Sequence, residues 1–110
     1  MTAKIIDGTS IAKEIRGEVA EGVVEMKQKH GVVPGLTAVL VGDDPASNVY
    51  VRNKEKAAME AGISADVVRL PADTAQEDLL ATLAGLNGRE PVHGILVQLP
   101  LPPQIDEDVI

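Results

Sequence analysis

Three side chains carry the clearest chemistry in this sequence: Lys54, Tyr50 four positions before it, and Gln98, the one polar side chain between Ile95 and Leu101. Projected as a helix at roughly 100° per residue, the segment after Gly42 places Ala46, Tyr50, Ala57 and Ala61 on one stripe with Lys54 inside it. Arg52, Glu55 and Lys56 fall toward the other side. A lysine held against apolar surface loses solvation of its charged form and becomes able to accept a proton. The same placement also allows the stem to lie on alanines while the ammonium reaches out to water. Tyr50 stands one turn before Lys54, so ring and amine are surface neighbours. A flat heterocycle can lie against the ring while the amine reaches its reacting atom; the alternative is a core or boundary tyrosine. An amide at Gln98 left without a partner costs about 1–3 kcal/mol. It is therefore expected to bond Lys54, a ligand or a loop backbone.

The elements that must position these groups alternate along the chain. Thr9 or Ser10 can cap a long amphipathic helix whose Ile11, Ile15, Val19, Val23 and Met26 recur at helical spacing, with Gly31 placed to end it in a left-handed conformation. Leu36 to Val41 reads as a buried strand stopped by Gly42. Asp44 or Ser47 can cap the second helix, which tolerates Pro45 in its first turn and ends at Gly62. Ile63 to Leu70 reads as a second strand. Thr74 and Glu77 have capping-box spacing ahead of Leu79, Leu80, Leu83 and Leu86, and Gly88 closes that third helix. Val92 to Leu99 reads as a third strand, broken by Pro100, Pro102 and Pro103. Asp106 to Ile110 reads as a helix beginning, and the chain is accordingly expected to be a fragment. Helices alternating with apolar strands, without hairpin turns, predict an α/β fold: a mainly parallel sheet with helices on both faces in three layers. In such sheets ligands collect at the carboxyl ends of the strands, where Gly42–Lys54 and Gln98–Pro103 lie.

Composition narrows the partners. Ten basic residues against seventeen acidic ones give a formal charge of −7, which repels phosphate backbones and anionic membranes. Tyr50 is the only aromatic residue, so there is no row of rings on which unpaired bases could stack. These features argue against nucleic acid and membrane partners. The absence of cysteine removes thiol chemistry and suits a reducing cytoplasm. His30 and His93 are too scattered for a metal site, so none is assigned. Gly42 to Ser47 lacks the repeated glycines and Gly-Lys-Ser/Thr ending of a phosphate loop. Ser47 reads most simply as a cap, with ligand contact the lesser reading.

Two separated motifs carry a family resemblance. Val41 to Lys54, with its core Tyr50-Val51-Arg52-Asn53-Lys54, is similar to the bifunctional methylenetetrahydrofolate dehydrogenase/methenyltetrahydrofolate cyclohydrolase family. Gly94-Ile95-Leu96-Val97-Gln98-Leu99-Pro100-Leu101-Pro102 resembles that family's other signature. The likeness runs along essentially the whole chain from Ile5-Ile6-Asp7-Gly8. Arg89 and Asp78 depart from the usual residues, both outside the implied pocket. The resemblance implies NADP-dependent oxidation of 5,10-methylenetetrahydrofolate and hydrolysis of the methenyl product to 10-formyltetrahydrofolate, within one-carbon metabolism and purine biosynthesis. In it Lys54 is the catalytic base, Gln98 holds and tunes it, and Tyr50 stacks on the folate; Ser47, Leu99 and Pro100 complete the substrate contacts. It further implies that residues 1–110 form the N-terminal folate-binding domain. The NADP-binding Rossmann domain, a pocket aspartate and most contacts of a cytoplasmic homodimer would lie beyond Ile110. Two other readings use the same architecture: a non-catalytic α/β module for ligand binding or subunit contact, and the substrate lobe of another dehydrogenase. Neither accounts for the two motifs.

Overall fold

The computed structural model describes residues 3–110. Six elements follow in the order α1 (Gly8–His30), β1 (Gly35–Val41), α2 (Pro45–Glu60), β2 (Ser64–Leu70), α3 (Gln76–Asn87) and β3 (Gly94–Val97). The strands form one parallel sheet in the order β2-β1-β3. The chain steps from β1 to β2 through α2, then returns past β1 to β3 through α3. Two right-handed crossovers in opposite directions put their helices on opposite faces.

The central strand shows this directly, because alternate side chains of β1 feed two cores. Ala38 and Leu40 pack with Val51 of α2 on one face. Val39 and Val41 pack with Leu79 and Leu86 of α3 on the other, joined by Leu101 and Ile105 from the segment after β3. The strand is buried on both sides, which explains why its sequence is a continuous apolar run rather than an alternating one.

Several boundaries differ from the sequence expectation, each for a local reason. The cap of α1 is Asp7, not Thr9 or Ser10: its carboxylate accepts from both of their backbone N–H groups and from the Ser10 hydroxyl. The Ser10 hydroxyl, followed by these backbone donors, holds the Asp7 pKa below the usual carboxylate value. Gly31 ends the helix at φ 64° as expected. The apolar stripe of α1, however, is not covered by the sheet. Val23 alone is buried, against Gly62, while Ile11, Ile15, Val19 and Met26 stay exposed. The helix stands out from the sheet, and the radius of gyration reaches 16.8 Å, against about 13 Å for a compact chain of roughly this length.

The capping box expected at α3 does not form. Ala75 occupies the cap position with no side-chain bond, and the Thr74 hydroxyl turns back to the Pro71 carbonyl. Strand β3 is shorter than Val92 to Leu99, because only Gly94 to Val97 pair with Leu36 to Val39 of β1. His93, just before it, accepts from the Gly35 N–H at 2.8 Å and ties the two strand entrances together. Residues 106–110 form turns rather than a nascent helix.

Candidate active site at the carboxyl end of the sheet

The strand order reverses at β1, the kind of position where open α/β sheets bind ligands, and the segments leaving β1 and β3 come together above their carboxyl ends, residues 41–44 and 100–102 bounding a shallow crevice. Gly42 begins the first loop at φ 93°, a left-handed turn that glycine adopts without a Cβ penalty. Asp44 then caps α2 by accepting from the Ser47 N–H at 3.0 Å, and Pro45 sits in the first turn. On the other side, the Gln98 N–H continues the β3 ladder onto the Val39 carbonyl at 3.0 Å before the chain enters its prolines.

These two anchored segments bring Lys54 and Gln98 together across 44 positions of sequence. The Lys54 Nζ donates to Gln98 Oε1 at 2.8 Å. The other end of the amide donates through Nε2 to the Leu99 carbonyl at 2.9 Å. Ammonium and amine hydrogens can only meet the amide oxygen here, and the carbonyl can only meet its nitrogen, so the orientation of Gln98 is set at both ends. Gln98 itself is buried at 8% exposure, and both bonds satisfy it.

The helix projection placed the inward face of α2 incorrectly. The buried residues are Ser47, Val51, Ala58 and the adjoining Ala61, whereas Ala46, Tyr50 and Lys54 are exposed. The inward stripe is rotated because Val51, fully buried, leads the packing onto Leu40. Lys54 therefore stands at the rim of the helix with its amine turned onto Gln98, rather than pressed into alanines. Among the described residues, no carboxylate lies within ion-pair distance of it. A neutral amide partner orients the amine through a single hydrogen bond.

Tyr50 lies one turn earlier with 54% of its surface exposed, and Leu99 and Pro100 are exposed beside Gln98. Leu99 and Pro100 thus offer apolar surface beside the Lys54–Gln98 pair. Ser47, expected as a cap or ligand contact, is neither placed as the cap nor open to solvent. It is 1% exposed and its hydroxyl approaches the Leu99 carbonyl at 3.5 Å. Sequence reasoning did not single out the Leu99 carbonyl, the group that Gln98 and Ser47 share. A backbone acceptor leaves no mark in residue type, though the adjoining Pro100 showed that this chain leaves the sheet here.

Fold and site thus define an open parallel α/β domain with a hydrogen-bonded lysine–amide pair at the carboxyl end of its strands. The family model for the tetrahydrofolate dehydrogenase/cyclohydrolase catalytic domain matches residues 6–110, and the chain belongs to this family. The bifunctional protein FolD 1/3 of Ruegeria pomeroyi is 56% identical over all 110 residues. Among solved structures, the FolD dehydrogenase/cyclohydrolase of Campylobacter jejuni superposes with a TM-score of 0.91 at 44% identity, over 94% of this chain and 36% of that one. The enzyme of Trypanosoma brucei, solved with NADP cofactor and inhibitor, gives 0.91 at 41% identity over 99% of this chain and 37% of its own. The chain spans 37% of the length of the Ruegeria relative.

Proposed function

We propose that this chain is the N-terminal folate-binding domain of a longer bifunctional enzyme that oxidises 5,10-methylenetetrahydrofolate and hydrolyses the methenyl product to 10-formyltetrahydrofolate. The observation that carries the reading is the 2.8 Å bond between Lys54 and Gln98, made by the two motifs that the family resemblance rests on.

In the hydrolytic half, water adds to the bridging methenyl carbon and loses a proton, for which the Lys54 amine is the acceptor. Collapse of the adduct breaks the bond from that carbon to N5, and Lys54 returns a proton to the departing nitrogen. The remaining hydroxyl proton leaves as the formyl carbonyl forms, so one water is consumed and one proton released overall. Gln98 keeps the amine aimed. The exposed Tyr50 ring offers a flat face for the pterin, and the exposed Leu99 and Pro100 offer further apolar surface.

NADP does not fit the residues of this chain. The loop entering α2 presents Asp43 and Asp44 where a phosphate-binding turn would need glycines and free N–H groups, and Asp44 already takes the Ser47 N–H. The family resemblance assigns NADP binding, the pocket aspartate and the homodimer contacts to polypeptide outside this domain. A cytoplasmic setting suits the cysteine-free sequence, and among the described residues no helix is long and apolar enough to cross a membrane.

The test is a spectrophotometric assay of the full-length protein. Methenyltetrahydrofolate should form from the methylene substrate with NADP, and added methenyltetrahydrofolate should disappear faster than in buffer. A well-folded full-length protein that does neither contradicts the proposal.

A further inference from the structure

After Gln98 the chain does not return directly to a helix. It crosses from the edge strand β3 over the carboxyl end of β1 and reaches the loop between β2 and α3, at the opposite edge of the sheet. Leu101 and Ile105, at 9% and 4% exposure, anchor this strap in the main core beside Leu79. Apolar anchors resist withdrawal of the strap, but they are not directional and tolerate sliding. Direction comes from hydrogen bonds. Gln104 Nε2 donates to the Ala72 and Thr74 carbonyls at 2.7 and 3.0 Å. The Asp106 N–H donates to Gln76 Oε1 at 2.7 Å, and the Leu101 N–H to Glu107 Oε1 at 3.0 Å.

The start of α3 takes part in this clasp instead of capping itself. Ala75 supplies no cap, and the Gln76 side chain in the first turn reaches away to the strap. A helix normally gains from an N-cap side chain, so the local rule is broken where the strap is held.

We infer that Gln104 and Gln76 are positioning residues: by clasping the strap to the β2–α3 loop they fix the Leu99 carbonyl, which orients the Gln98 amide that holds Lys54. The path is short. Leu99 lies between the ladder bond of Gln98 to Val39 and the Leu101 N–H bond to Glu107. A turned Leu99 carbonyl loses the Gln98 Nε2 bond and frees the amide to rotate its oxygen away from Lys54. The inference deepens the proposed function and rests on it only for its effect on hydrolysis; the orientation of Gln98 is a separate observable.

The experiment compares Gln104→Glu with Gln104→Lys in the full-length protein. Glutamate has the shape of glutamine but sets an acceptor against two carbonyls, whereas lysine keeps a donor for them. Gln104→Glu should shift the side-chain amide resonance of Gln98, followed in protein labelled on glutamine nitrogen, and lower kcat for methenyltetrahydrofolate hydrolysis by roughly 10- to 100-fold. Gln104→Lys should leave both near wild type. Glutamate at 104 with an unmoved Gln98 resonance overturns the inference, whatever the melting temperature does. So does a lysine variant that shifts the resonance as far as the glutamate variant does. If the wild-type protein shows no hydrolysis, the functional reading fails, and the Gln98 resonance still decides the role of the clasp.

Discussion

Replacing Lys54 by Met in the full-length protein should reduce hydrolysis of methenyltetrahydrofolate by roughly 10²–10⁴-fold, the range associated with loss of a positioned acid/base group. The fold should be almost untouched. Lys54 is exposed at the rim of α2, and methionine keeps an unbranched stem with high helix propensity. The helix is held by Val51, Ala58 and the Asp44 cap, none of which the substitution alters. The affinity for a folate substrate should change much less than kcat, because the ring surface of Tyr50, Leu99 and Pro100 remains. Stopped-flow loss of methenyl absorbance at saturating substrate measures the effect. Hydrolysis within about threefold of wild type would remove Lys54 from the proton transfers.

The second large effect concerns the core beneath the strap. Leu79 is completely buried and touches the cluster of Val39, Val41, Leu86, Leu101 and Ile105. Leu79→Ala should destabilise this domain by about 2–5 kcal/mol, since lost transfer energy and a residual cavity add together. Against a total of roughly 5–15 kcal/mol for an ordinary domain, that is a large fraction. Leu80→Ala is the control on the same helix: Leu80 is 37% exposed and should cost about 1 kcal/mol or less. Urea titration followed by circular dichroism should show the midpoint of the Leu79 variant falling with its slope retained. A loss for Leu79→Ala no greater than that for Leu80→Ala would contradict this placement of the core.

The order of elements was legible because hydrophobic runs and glycine or proline stops are local signals. Leu36–Val41 reads as a buried strand and is one; of the α3 stripe Leu79, Leu80, Leu83 and Leu86, the structure buries Leu79 and Leu86, half-buries Leu83 and leaves Leu80 exposed. The meeting of Lys54 with Gln98 was legible in part, since Gln98 stands as a lone polar group in an apolar run and Lys54 was one of its expected partners. The inward face of α2 was not, since an alanine stripe and a stripe led by Val51 differ by about one residue of helical phase, and the sheet decides between them. The caps of α1 and α3 were missed for a related reason, whereas Asp44 at α2 was among the residues expected. Asp7 prevailed over Thr9 and Ser10 because one carboxylate accepts from both. At α3, Gln76 is drawn away by a partner 30 positions distant. The exposed stripe of α1 shows the limit most plainly, since amphipathic spacing identifies a face that can be covered without saying what covers it.

The central claim is that Lys54 and Gln98 act as one unit, and a double-mutant cycle on hydrolysis measures that directly. Lys54→Met, Gln98→Met and the double variant are compared by kcat in the full-length protein. If Gln98 works by holding Lys54, removing it should cost much less once Lys54 is gone, leaving a coupling of roughly 1–3 kcal/mol. Additive losses, with Gln98→Met equally damaging in the presence and absence of Lys54, would contradict the account.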